Sequence, residues 1–203
     1  MGIKNVIFDV GDVLIHFRYM DYMKDLGLSD EEIRFFAEQM VLTDFWHEMD
    51  LGIYNNEDAR KHFTEAFPQY ADEIGRFWDG IADIVREYDY AKPLVQELKA
   101  AGLSVYALSN YPDEMSDMHW AKFQFLPEMD GYIISAKEKL AKPDPAIYRL
   151  LTERFGLDLS ECVFVDDRDT NVEAANSLGM KGILFTGYDN LIVEFKKLDI
   201  KIE

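Results

Sequence analysis

Polar residues that can do chemistry recur in this chain just after short apolar runs. The runs are Val6-Ile7-Phe8, Val105-Tyr106-Ala107-Leu108, Tyr132-Ile133-Ile134 and Val163-Phe164-Val165. Asp9 follows the first, Ser109 and Asn110 the second, a loop holding Lys142 the third, and Asp166-Asp167 the fourth. Asp9 and one of the two later aspartates can share a hard cation through oxygen. Mg²⁺ suits such a pair, since it takes one or two carboxylates and keeps water and phosphate oxygens in its other positions. The Ser109 hydroxyl, nearby backbone N–H groups and the Lys142 ammonium can bind anionic oxygens. A carboxylate beside Mg²⁺ can also act as a nucleophile and carry a phosphoryl group. These residue types together point to phosphoryl transfer.

The runs themselves say what positions these groups. Each is short, apolar on both faces and rich in β-branched or aromatic residues, as is a further run, Ile183-Leu184-Phe185. Buried strands of a parallel sheet read this way. Helical stretches separate them. Pro93 opens Leu94 to Lys99 and Gly102 closes it, Asp144-Pro145 starts a helix through Arg154 that ends near Gly156, and Asn171 to Leu178 ends at Gly179. Alternating strands and helices imply βαβ units and an α/β fold with a Rossmann-like parallel sheet. In such sheets ligands bind beyond the carboxyl ends of the strands, so the polar residues share one rim.

Residues 17–89 break the alternation and carry helical patterning without a convincing strand run. Ser29-x-x-Glu32 is a capping box leading into Ile33, Phe35, Phe36 and Met40. Asn56 can cap the next helix, with Glu57 and Asp58 in its first turn, and Tyr70 to Tyr88 is again amphipathic. The expected organisation is a core from residues 1–16 and 90–203 and an all-helical cap, residues 17–89, inserted after the first strand.

Composition narrows the partners. Asp plus Glu number 39 against 21 Lys plus Arg, a net charge of −18. That surplus argues against nucleic acid, whose phosphates need clustered Lys and Arg, and against a helix resting on an anionic membrane. With 48% hydrophobic residues spread along its length the chain is expected to fold. No apolar stretch is long enough to span a bilayer, and the first residues lack signal-peptide architecture. The single cysteine, Cys162, reads as a buried small hydrophobe, and a reducing, cytoplasmic compartment is expected. Oligomeric state is left open.

Four ordered motifs now carry a resemblance. Phe8-Asp9-Val10-Gly11-Asp12-Val13-Leu14, Leu108-Ser109-Asn110, Lys142-Pro143-Asp144-Pro145-Ala146-Ile147-Tyr148 and Val163-Phe164-Val165-Asp166-Asp167-x-x-x-Asn171 resemble those of the haloacid dehalogenase superfamily. Residues 17–89 resemble the small helical cap of its phosphatases and dehalogenases. The resemblance implies that Asp9 is the nucleophile, Ser109 the phosphate-binding hydroxyl with Asn110 beside it, and Lys142 the catalytic lysine. It implies Mg²⁺ held by Asp9, the Gly11 carbonyl and Asp167, with Asp166 and Asn171 as orienting neighbours, and a small phosphate ester as substrate.

Gly11 departs from the pattern. Most phosphatases of the superfamily carry a second Asp there, which protonates the leaving group. Asp12 is one position later, where a strand-like segment turns its side chain to the opposite face, so it reads as a turn or capping residue. Loss of a general acid costs about 10²–10⁴-fold and hurts least when the leaving group is good. Asp-x-Gly-Asp-Val also resembles a branch that includes α-glucose-1-phosphate phosphatases, which implies sugar 1-phosphates. Two other functions fit the motifs: a metal-independent 2-haloacid dehalogenase, or a phospho-ligand-binding regulatory protein disabled by Gly11.

Taken singly, each residue has a plainer reading. Asp9 alone is a turn aspartate, Ser109-Asn110 a helix cap, and Lys137 and Lys139 are solvated lysines that Pro143 distinguishes from Lys142. Phe45, Trp46 and Tyr54 read first as cap core, with contact to substrate as the sharper alternative. His16 and Arg18 stand near the cap junction, where Arg18 can meet an anion, and Tyr111 and His119 can face the cleft. Gly52 reads as a helix end.

Overall fold

Burial alternates along the apolar runs and sorts their side chains into two cores. Val6, Phe8, Val105, Ala107, Val163 and Val165 join one core, while Ile7, Tyr106, Leu108, Cys162 and Phe164 join the other. Successive residues of a strand point to opposite faces, so the two cores are the two sides of one sheet. These relations come from a computed structural model that describes residues 2–202.

The strands are β1 (Asn5–Phe8), β2 (Ile15–Phe17), β3 (Val85–Glu87), β4 (Ser104–Ser109), β5 (Gly131–Ile134), β6 (Cys162–Asp166) and β7 (Lys181–Leu184). The α-helices are α1 (Tyr19–Asp25), α2 (Asp30–Phe36), α3 (Asp44–Asp50), α4 (Asn56–Ala66), α5 (Ala71–Asp79), α6 (Ala91–Ala100), α7 (Asp113–His119), α8 (Ser135–Glu138), α9 (Pro145–Phe155), α10 (Asp169–Ser177) and α11 (Tyr188–Lys197). Five strands form a parallel sheet in the order β5-β4-β1-β6-β7. Leu94, Val95 and Leu98 of α6 and Leu191 and Phe195 of α11 cover one face. Ile147, Tyr148 and Leu151 of α9 and Ala175 of α10 cover the other. This is the expected α/β architecture. Its central strand β1 has β4 on one side and β6 on the other, which puts a topological switch point at the end of β1.

Local signals account for several helix ends. Asp144 caps α9 through Ala146 N–H, and Gly156 closes it at φ +66°. Ser29 and Glu32 form the reciprocal capping box of α2. At α4 the cap is Asn55 rather than Asn56: Asn55 accepts from Asp58 N–H, and Asn56 is the first helical residue. Helices α6 and α10 start two residues earlier than Pro93 and Asn171 suggest, at Ala91 and Asp169, and β7 ends at Leu184. Cys162 is fully buried against α9 and β1 neighbours, as a small hydrophobe.

The insertion is not all-helical. β3 pairs antiparallel with β2, with Ile15 opposite Glu87 and Phe17 opposite Val85. This two-stranded ribbon connects the helices α1 to α5 with the sheet. Three residues per strand are too few for an alternating pattern to show in sequence. No described helix is long and apolar enough to cross a membrane.

The cap touches the core at its α3 end. The Ser135 hydroxyl donates to the Asp50 carbonyl at 2.5 Å, and Lys139 Nζ donates to the Gly52 carbonyl. Gly52 ends the helix at φ +63°, and a Cβ there would lie 2.6 Å from the Ala136 carbonyl oxygen. Both the left-handed backbone and the close approach require glycine. Gly52→Ala is therefore expected to destabilise the protein by about 1–3 kcal/mol, seen as a fall of several degrees in thermal midpoint. An unchanged midpoint would contradict this packing.

Candidate active site

The rim is assembled from the ends of three adjacent strands and one loop. Asp9 follows β1, and its N–H donates to Val165 O at 2.8 Å, which keeps the β1–β6 ladder going to the site. Its Oδ1 accepts from Val10 N–H at 2.7 Å and pairs with Lys142 Nζ at 2.8 Å. No hydrogen bond to Asp9 Oδ2 is found among the described residues, so one oxygen is fixed and the other is available. Lys142, only 2% exposed, also binds Asp166 Oδ2 at 2.8 Å. Asp166, fully buried at the end of β6, accepts from Asn171 Nδ2 at 3.0 and 3.1 Å and from Arg168 N–H at 2.9 Å.

The Asn110 side chain does not point its amide at a ligand. It holds the Lys142 backbone, donating to Lys142 O at 2.9 Å and accepting from Lys142 N–H at 2.8 Å. Its side chain positions the lysine, and only its main chain is left for an anion. Ser109 ends β4 nearby. Its hydroxyl is buried and has no hydrogen-bond partner among the described residues. Such an orphan costs about 1–3 kcal/mol, and an anionic oxygen would satisfy it.

The charges do not balance without a further cation. Carboxylate oxygens of Asp9, Asp166 and Asp167 lie within 4.8 Å of one another, and Lys142 is the buried cation paired with two of them. Three carboxylates and one ammonium sum to −2, the charge that a divalent ion offsets. The donors are all oxygen, which matches a hard cation. Burial pushes the Asp9 carboxyl up to about 7; the Lys142 charge opposes this and Asp166 adds to it. Burial and Asp166 also raise exposed-side Asp167. Burial pulls Lys142 down, but Asp9 and Asp166 outweigh it and leave it raised.

A cavity of about 400 Å³ opens over these groups. Asp9, Gly11, Lys142, Asp167 and Asn171 line its core side, and Phe17, Tyr19, Val41, Leu42 and Trp46 line its other wall. Asp12 lines it as well, but its backbone is left-handed (φ +51°) and its Oδ1 accepts from Phe17 N–H at 2.9 Å. β1 ends at Phe8, so a turn rather than strand alternation directs this side chain; its role is the turn aspartate expected of it.

The other aromatic and basic candidates divide. Trp46 and Tyr111 line the cavity. Phe45 instead stacks on Tyr54 at 4.5 Å and on His62 at 4.3 Å, and His16 stacks on Tyr88. Arg18 is buried against Asp25 and the Asp83 carbonyl, so it is no anion site. His119 is fully buried behind Tyr111, bonded to its hydroxyl at 2.6 Å, and burial lowers it to about 4.

Sequence reasoning missed Asp50. This half-buried residue ends α3 and lines the cavity from the cap. Burial, then the Asp9 charge, push its carboxyl up to about 8, against the pull of Lys142 and Arg168. No hydrogen-bond or ion-pair partner of this carboxyl is found among the described residues.

The four motifs, the switch-point sheet and the carboxylate cluster agree with what comparison finds. Residues 3–179 match the model of haloacid dehalogenase-like hydrolases, and the chain belongs to that family. It is 27% identical to flavin mononucleotide hydrolase 1 of Arabidopsis thaliana over 97% of this chain and 78% of that protein. It is 27% identical to the sesquiterpene phosphatase astK of Aspergillus oryzae over 96% of each, and 24% identical to (S)-2-haloacid dehalogenase 4A of Burkholderia cepacia over 90% of this chain and 82% of that one. Among solved structures, the family enzyme bt-2542 of Bacteroides thetaiotaomicron superposes with a TM-score of 0.73 at 26% identity, covering 96% of this chain and 99% of its own. A complex of that enzyme contains magnesium and inorganic phosphate; it superposes at 0.68 with 24% identity over 94% and 99%.

The raised carboxyls fix the sign of a pH dependence. Burial pushes the Asp9 and Asp50 carboxyls up to about 7 and about 8 in the folded protein, from 3.8 for a solvated aspartate in the unfolded chain. The folded state then holds protons that the unfolded state has released, so their stabilising effect is lost as pH rises from about 4 toward 8. In EDTA the thermal midpoint is expected to fall between pH 5 and pH 8. Asp50→Asn should flatten that fall. Parallel pH profiles for the two proteins would show that Asp50 does not carry the shift.

Proposed function

We propose that the chain is a Mg²⁺-dependent phosphatase that hydrolyses a small phosphate monoester through a phosphoryl group carried on Asp9. The observation that carries this reading is the cluster of Asp9, Asp166 and Asp167 around a single buried lysine. Asp9, Asp167 and the Gly11 carbonyl would hold the ion, which when bound supplies positive charge to the phosphoryl oxygens and to the attacking carboxylate. Asp9 attacks phosphorus with one oxygen while Lys142 and Val10 N–H fix the other. Lys142 also faces the charge that builds on the transferred group. The orphaned Ser109 hydroxyl and the main chain at Asn110 bind its oxygens. Asp166 and Asn171 keep Lys142 in place, and water then releases phosphate from Asp9. Relatives named as phosphatases and the magnesium and phosphate in the solved neighbour support this. A reducing, cytoplasmic setting suits the free, buried Cys162.

Related dehalogenases keep a second reading open, but the three-carboxylate cluster favours the metal enzyme. Two features bear on the leaving group. Gly11 favours a good one, such as the anomeric oxygen of a sugar 1-phosphate. The wall of Phe17, Val41, Leu42 and Trp46 favours one with an apolar face, in keeping with the sesquiterpene in the name of one relative.

Phosphate release is expected with Mg²⁺ and not in EDTA, and Asp9→Asn should lower it on the order of 10³-fold or more. A panel of glucose 1-phosphate, glucose 6-phosphate and 2-phenylethyl phosphate separates the leaving-group readings. Halide release from 2-chloropropionate in EDTA, without phosphate release in Mg²⁺, would overturn the phosphatase.

A further inference from the structure

We propose that Asp50, reaching the cavity from the cap, is the proton donor to the leaving-group oxygen, doing what the side chain missing at Gly11 does in other arrangements of this site. The inference rests on the phosphatase reading and concerns the departing alcohol.

An in-line displacement fixes where this proton must come from. The attacking oxygen of Asp9 stands at the strand ends, so the ester oxygen leaves on the opposite side, toward the cap. Gly11 lines the cavity on the core side, and a Cβ built there would meet nothing within 4 Å. The site therefore has room for an acid at this position and carries none. The other ionisable groups around the cavity are committed or unsuited. Asp12 holds the Phe17 N–H, Lys142 is shared by Asp9 and Asp166, and the Tyr111 hydroxyl is bonded to His119. Asp167 belongs to the carboxylate cluster, Arg168 keeps its proton, and Tyr19, its ring packed on Phe17 in the apolar wall, offers only a phenol, a far weaker acid than a carboxyl.

Asp50 has what the role needs. Its backbone is pinned to the core by the Ser135 hydroxyl, and the turn that follows is pinned by Lys139 on Gly52, so its position is tied to the rim. Its carboxyl is free of protein partners among the described residues and shares the cavity with Asp9. Burial favours the protonated form of this carboxyl, which suits a donor.

The proton balance closes over one turnover. In the first half, the bond from Asp9 oxygen to phosphorus forms, the phosphorus–ester oxygen bond breaks, and the Asp50 proton goes to that oxygen, releasing the alcohol. In the second half, water attacks the phosphorus of the aspartyl-phosphate. Its proton passes to the Asp50 carboxylate, and inorganic phosphate leaves with Asp9 and protonated Asp50 restored.

The test compares two esters in Mg²⁺. Nitrophenolate leaves p-nitrophenyl phosphate without a proton, whereas the alkoxide of 2-phenylethyl phosphate requires one. Asp50→Asn is expected to lower kcat for the alkyl ester by about 10²–10⁴-fold and to lower it far less for the aryl ester, whose turnover also reports that the variant is folded. Adding Gly11→Asp to Asp50→Asn should restore part of the alkyl rate, which a packing role for Asp50 would not allow. Equal losses on both esters, or no loss on the alkyl ester, would overturn the inference while leaving the phosphatase standing. Failure of the unaltered protein to release phosphate from either ester would remove both.

Discussion

One buried ammonium organises this site. Lys142 Nζ lies 2.8 Å from both Asp9 and Asp166, out of reach of water. A charge so placed is costly unless it is paired and its partners are themselves satisfied. The surroundings meet that condition. Asn110 ties down the lysine's main chain, and Asn171 with Arg168 N–H occupies the rest of Asp166. Asp166 is thereby consumed in positioning, while Asp9 keeps one oxygen available. Removing Lys142 would leave two buried carboxylates uncompensated.

This local arrangement also explains how a molecule with a net charge of −18 can hold a phosphate ester. Exposed charges are screened within roughly 8 Å at physiological ionic strength, whereas Lys142 and the orphaned Ser109 hydroxyl are buried and would act at contact range. The acidic surplus argues against clustered phosphate contacts and says little about the reaction. Position decides: three aspartates converge on one point, and Asp50 faces them from the cap.

The core was legible because the physics behind it is periodic and local. Runs apolar on both faces gave β1, β4, β5 and β6, and the residues that follow three of them, with Lys142 in the loop beyond β5, pointed to the rim. Asp144, Gly156 and the Ser29–Glu32 box announced helix ends through the hydrogen bonds they make. The cap was harder. The β2–β3 ribbon is too short to show a strand pattern, and Val85–Glu87 hid at the end of a helical stretch. Asp50 looked like any acid on the polar side of an amphipathic helix, because the contact that ties its main chain to the core is made by Ser135 of α8, 85 residues away in sequence. Arg18 resembled an anion site for the converse reason: the Asp25 carboxylate neutralises it and the Asp83 carbonyl accepts from it, through contacts that the sequence does not announce. Long-range packing, rather than any local signal, settles which cap side chains see the cavity.

If Asp9 is the nucleophile, it becomes phosphorylated during turnover. Rapid acid quench of the protein with Mg²⁺ and p-nitrophenyl phosphate, followed by peptide mass spectrometry, tests it directly. One added phosphoryl group is expected on the peptide that carries Asp9, and none in Asp9→Asn. Turnover with no phosphoryl group on that peptide, or with one on a different residue, would contradict it.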